Sequence, residues 1–173
     1  MSDSQEKNSH QGKHGDMAGE HAFTDVGQLV LALLFAGSWI ADVFFLKSTV
    51  FANNHLPLAV RVPVGAVLLV LAAYMAWTSH RIIFGSAKRE SHVLRTGVFA
   101  VVRHPMYLSE ILLYLGFLFL SVSLLAGGVW LVGIGFFHFI AREEERLLLA
   151  RFGDEYSSYM RDVGMWLPRV RRL

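Results

Sequence analysis

"MYLSEILLYLGFLFLSVSLLAGGVWLVGIGFFHFIA" fills residues 106–141 and is apolar almost throughout. A helix that crosses a bilayer needs about 20 such residues. The stretch is too long for one crossing and long enough for two short ones. "SVSLLAGG" in its middle carries the Ser and Gly of a tight turn, which predicts a helical hairpin bending near Gly127 and Gly128. Two more apolar stretches precede it, "DVGQLVLALLFAGSWIADVFFL" at 25–46 and "VPVGAVLLVLAAYMAWTSHRIIF" at 62–84. The expected fold is therefore all-α: a polytopic transmembrane protein of four spans, with room for a fifth short or re-entrant element. The hairpin closes the membrane part, and a cytosolic C-terminal helix follows it.

Composition agrees. Hydrophobic residues make up 54% of the 173, above the 45–50% usual for soluble domains, and mean hydropathy is +0.42. A net charge of +2 is too small to point to nucleic acid. There are no cysteines, so disulfides and thiolate metal sites are excluded. Residues 1–24 are polar and read as a disordered tail. Its His10, His14 and His21 fit no helical face, and no metal site is expected there. Residues 25–173 read as one transmembrane domain.

Basic residues orient the spans. Arg81, Lys88, Arg89, Arg95 and Arg103 crowd the 81–103 loop, and Arg142, Arg146, Arg151, Arg161, Arg169, Arg171 and Arg172 follow the last span. The hairpin turn has none, and the 47–61 connection has only Lys47 and Arg61. The positive-inside rule puts that loop and both termini in the cytoplasm.

The charged groups at the hairpin's cytoplasmic ends are its unusual feature. "AVVRHPMYLSE" at 100–110 brings Arg103, His104, Pro105, Tyr107 and Glu110 to the start of the third span. "AREEERLLLARFG" brings Arg142, Glu143, Glu144, Glu145 and Arg146 to the end of the fourth. In a hairpin these ends are neighbours and frame a pocket at the membrane surface. Pro105 suits a first helical turn and biases His104 away from helical conformation. Taken singly, Arg103 and His104 read as interfacial anchors, and Glu144 and Glu145 as a solvated helix start. Tyr156 and Tyr159 read as packing with Phe152 and Val163 on one helix face. His138 divides evenly between core and pocket. Asp42 and Glu110, ionisable groups within spans, are expected to face a partner or a cavity.

In order along the chain stand S-H-x-L, R-H-P-x-Y, E-E-x-x-L, F-G-x-x-Y and V-x-x-x-x-P. Through this ordered set, residues 60–170 resemble the isoprenylcysteine carboxyl methyltransferase family of integral membrane enzymes, with phospholipid N-methyltransferases as more distant relatives. The resemblance implies a methyltransferase that binds S-adenosylmethionine without a Rossmann domain, in a site built mainly from 88–110 and 138–169. It places His92, Val93, Leu94, Phe99, His104, Pro105, Tyr107 and Glu144 on the cofactor. Arg142, Glu145 and Glu110 are the candidates for catalysis. The family's Arg for the substrate carboxylate falls on Ile140 here, which leaves Arg142 or Arg146 to take over and opens the acceptor to a lipid amine, another isoprenoid acid or a small hydrophobic molecule. With an amine acceptor, Asp42 or Glu110 would serve as base. The partners implied are the bilayer and a lipophilic or lipidated acceptor. The competing readings are an NADPH-dependent membrane reductase of the steroid-reductase type and a non-enzymatic scaffold or transporter.

Overall fold

Pro105 opens a helix, and the residue before it is bent out of helical geometry, with His104 at φ −119°, ψ 62°. Around this start the computed structural model describes residues 24–85 and 92–169. The N-terminal tail with its three histidines, Lys88, Arg89, Ser91, Arg171 and Arg172 lie outside the described residues. The elements are α1 (Thr24–Leu46), α2 (Leu58–Gly85), α3 (Pro105–Leu120), α4 (Leu124–Phe152) and α5 (Asp154–Asp162), with short 3₁₀ turns at Val50–Asn54 and Gly97–Ala100. No named strand occurs among the described residues; a single parallel bridge joins Val102 to Gly164.

The chain is an all-α integral membrane protein. α1, α2 and α4, of 23, 28 and 29 residues, are long and apolar enough to cross a bilayer. α3 has 16 residues, or about 24 Å at 1.5 Å per residue, short of a hydrocarbon core of about 30 Å. The long helices turn apolar side chains outward: Leu33 is 65% exposed, Val70 70% and Val132 70%. Such a surface suits a hydrocarbon solvent.

The hairpin does not bend at Gly127 and Gly128. α3 stops at Leu120, and α4 starts at Leu124 behind Ser123, whose hydroxyl accepts the Ala126 N–H at 3.2 Å. A serine cap satisfies a helix start directly. The two glycines then sit early in α4 with nothing within 4 Å of an added Cβ, so no turn requires them.

The core joins three helices: Leu31 and Phe35 of α1, Tyr114 of α3, and Ala126 and Phe137 of α4. The Phe35 and Tyr114 rings stack at 4.4 Å. At the hairpin-turn end, Asp42 is fully buried and accepts from Ser123 Oγ at 2.6 Å, from the Ser48 and Thr49 N–H groups, and from the Thr49 hydroxyl. Arg61 donates to Asn53, which also accepts the Val122 N–H at 2.8 Å. Asp42 thus has its partner, and it lies an α3 length away from His104. It cannot serve as the base considered for an amine acceptor.

Candidate active site

The opposite end of α3 and α4 is held by one buried charge cluster. Arg103 Nε donates to Glu145 Oε1 at 2.7 Å, and its Nη1 donates to the carbonyls of Met160 at 3.1 Å and Val163 at 2.7 Å. The Arg103 N–H donates to the Gly164 carbonyl at 2.9 Å. One side chain thus ties the loop before α3 to α4 and to the end of α5. His104 Nε2 lies 3.1 Å from the same Glu145 oxygen, while Nδ1 lies 3.6 Å from Glu144. Burial disfavours the imidazolium, but the hydrogen bonds and charges of Glu144 and Glu145 outweigh it and hold the His104 pKa above its ordinary value. The His104 ring stacks on Tyr107 at 5.7 Å, and Tyr107 stacks on Phe137 at 5.8 Å. The Tyr107 hydroxyl donates to Glu144 at 3.1 Å.

α5 lies over this cluster because Gly153 breaks the helix line. Its φ of +51° with ψ −121° suits glycine best. Asp154 and Glu155 then begin α5 and Arg161 ends it, in the order that suits the helix dipole. Glu155 accepts the Val93 N–H at 3.0 Å, and Tyr159 donates to the Phe99 carbonyl at 2.6 Å. These two bonds fasten the 92–99 segment to the underside of α5. Burial pushes the Tyr159 hydroxyl up to about 12, so it remains a donor at any ordinary pH.

Between these parts lies a cavity of about 380 Å³, within the range of small-molecule sites. Among its lining residues are His92, Val93, Leu94, Phe99, His104 and Glu144, six of the eight residues expected on the cofactor. Pro105 is buried at the start of α3, and Tyr107 stands behind Glu144 through its hydroxyl. Neither lines the cavity, and nor do the three residues expected in catalysis. Glu145 is 4% exposed and holds Arg103 and His104. Arg142 is exposed on α4, and Glu110 lies one turn into α3 from Tyr107. Ile140 is 5% exposed within the core of α4.

Several lining residues were not expected: Ile83, Leu148, Arg151, Phe152, Tyr156 and Tyr159. The tyrosines do pack with Val163 and Phe152 as anticipated. The same face also roofs the cavity, a dual use that the amphipathic spacing of α5 allows. His138 accepts from Trp166 Nε1 at 3.2 Å and lies off the cavity. The arrangement is one half-exposed carboxylate, a buried imidazole, the guanidinium groups of Arg103 and Arg151, and a wall of apolar and aromatic side chains, suited to a ligand that carries a cationic group, an anionic group and a flat ring.

The phospholipid methyltransferase family model matches residues 56–155. Protein-S-isoprenylcysteine O-methyltransferases of Rattus norvegicus and Mus musculus are each 30% identical over 109 residues, 62% of this chain. The match spans 38% of the length of these curated relatives. No solved structure matches significantly.

Proposed function

This chain belongs to the phospholipid methyltransferase family, and from that premise we propose that it moves a methyl group from S-adenosylmethionine to a lipophilic acceptor at the membrane surface. One observation carries the reading: His92, Val93, Leu94, Phe99, His104 and Glu144, from separate parts of the chain, line a single cavity. The donor set fits the cofactor. Glu144 offers a carboxylate for the ammonium in a charge-assisted bond. Phe99, Phe152 and Tyr156 offer ring faces for adenine and the sulfonium. When bound, S-adenosylmethionine supplies an electrophilic methyl group on its sulfonium. The protein's share is orientation and exclusion of water. Tyr107 and His104 hold Glu144 in place, and α5 covers the cavity.

The acceptor comes sideways from the bilayer, past Tyr107 and Arg142, with Glu110 just below. An isoprenylcysteine carboxylate is the acceptor that the names of the rodent relatives suggest. In this chain Ile140 offers no charge for that carboxylate, so Arg142 is the cation that would meet it. With an amine acceptor, Glu110 is the in-span carboxylate at the correct end to take a proton. The cavity faces the cytoplasm, in a four-span arrangement with α3 as the short span. The absence of native cysteine makes single-cysteine labelling a clean check of that orientation.

Calorimetry on the purified chain tests the cofactor. S-adenosylmethionine or S-adenosylhomocysteine is expected to bind, with no competition from NADPH. Binding of NADPH, with no heat from either methionine-derived nucleoside, refutes the proposal in favour of the reductase reading.

A further inference from the structure

α2 and α3 touch at one end and part at the other. A Cβ added at Gly65 would come within 3.0 Å of the Gly116 carbonyl oxygen, and one at Gly116 within 2.8 Å of Leu69. Small residues there let the two backbones meet. Toward the cavity end the helices leave a second space, of about 1010 Å³, bordered by Leu71, Met75 and Thr78 of α2 and Leu108 and Leu112 of α3. The turn at Gly97–Ala100 and Trp166 close it off. It opens sideways, where Leu71 is 43% exposed on the apolar outer face of α2. Among the described residues Arg81 is the one charged group that lines it, and no described carboxylate does.

This space is separate from the cofactor cavity. Phe99 and Arg103 line the cavity, whereas Val98, Val101 and Val102 line the groove, and no described residue lines both. A molecule in the groove therefore has the 97–103 segment between itself and the reacting end of the site. That placement favours a resident lipid over a methyl acceptor. An apolar groove beside the apolar outer face of a spanning helix fills with a chain, and a cation at its end meets a headgroup. A zwitterionic head would bring an ammonium that finds no carboxylate among the described lining residues.

We infer that the groove between α2 and α3 holds an acyl chain of an anionic phospholipid, with its phosphate on Arg81. The lipid supports the 97–103 wall from the side opposite the cavity. The inference does not depend on the methyl donor or acceptor.

The test is native mass spectrometry of the full chain released from vesicles of phosphatidylcholine mixed with phosphatidylglycerol. Phosphatidylglycerol is expected to stay bound in preference. Arg81→Gln is expected to lower its retention about five- to tenfold. Leu71→Trp, which fills the groove from an already exposed position, is expected to remove it. Arg161→Gln, an exposed cation elsewhere, is expected to leave lipid retention unchanged. Equal retention of the two lipids, or retention unaffected by Arg81→Gln, overturns the inference. So does displacement of the bound lipid by a molecule that the protein then methylates.

Discussion

Removing the Arg103 guanidinium should loosen α5 more than any other single change at this end of the molecule. In Arg103→Met the Glu145 carboxylate stays buried and loses its 2.7 Å partner, and the Met160 and Val163 carbonyls lose their donor. Breaking a buried ion pair from one side costs about 3–5 kcal/mol, and each lost carbonyl bond about 1 kcal/mol. His104 still faces Glu145 at 3.1 Å and offsets part of the charge, so about 3–4 kcal/mol is expected. Every 1.4 kcal/mol is tenfold, so the open population of α5 should rise about a hundredfold or more. Amide exchange over 154–164, read by mass spectrometry in detergent, measures that local opening. Arg103→Met combined with Glu145→Met should recover much of the loss, because an apolar pair of similar volume carries no stranded charge. Exchange in Arg103→Met within roughly twofold of the parent, or a double variant that opens more than the single, would show that the cluster does not hold α5.

Glu144→Gln should keep the fold and weaken S-adenosylmethionine binding by about 1.5–3 kcal/mol, the scale of a hydrogen bond to a charged group; unchanged affinity by calorimetry reduces Glu144 to a solvated helix residue. The His104 cation has a folded pKa raised above its ordinary 6.5, so its stabilising contribution is complete below 6.5 and is lost as pH rises through the raised value. Exchange protection of 154–164 should fall over that window, and His104→Gln should flatten the fall. Gly153→Ala places a side chain at φ +51° with nothing within 4 Å to strike, so backbone strain alone should cost about 1–3 kcal/mol. A melting temperature equal to the parent's contradicts that geometry.

The start of α3 was legible because its chemistry is local. The Pro105 start and the non-helical His104 follow from a short motif whose geometry travels with it, whereas the 92–94 segment is named through the family resemblance alone. The bend was not legible. Ser123 and Gly127 both carry turn chemistry, and a serine that caps a helix leaves the glycines free to continue it. Glu144 and Glu145 were read as a pair, but neighbours on a helix diverge by about 100°. One therefore meets the cavity and the other meets Arg103. Asp42 looked like a base in search of a task although Ser48 and Thr49, six and seven positions on, already bond it; its remaining partner, Ser123, lies 81 positions away. No local pattern reveals such a contact.

That contact also orders the making of the protein. Chains emerge N-terminus first, and helices insert before they pack. When α1 and α2 are in the membrane, Asp42 and Arg61 are already present, but Ser123, the Val122 N–H and the Leu120 carbonyl that complete their network have yet to be synthesised. An interrupted chain would leave the acid held by Ser48 and Thr49 and the base held by Asn53, and only the arrival of the last long helix completes both sets of bonds. The hairpin turn thus acts as a completion seal, and loss of the Asp42–Ser123 bond should appear first as poor yield of assembled protein, before any defect in the distant cavity.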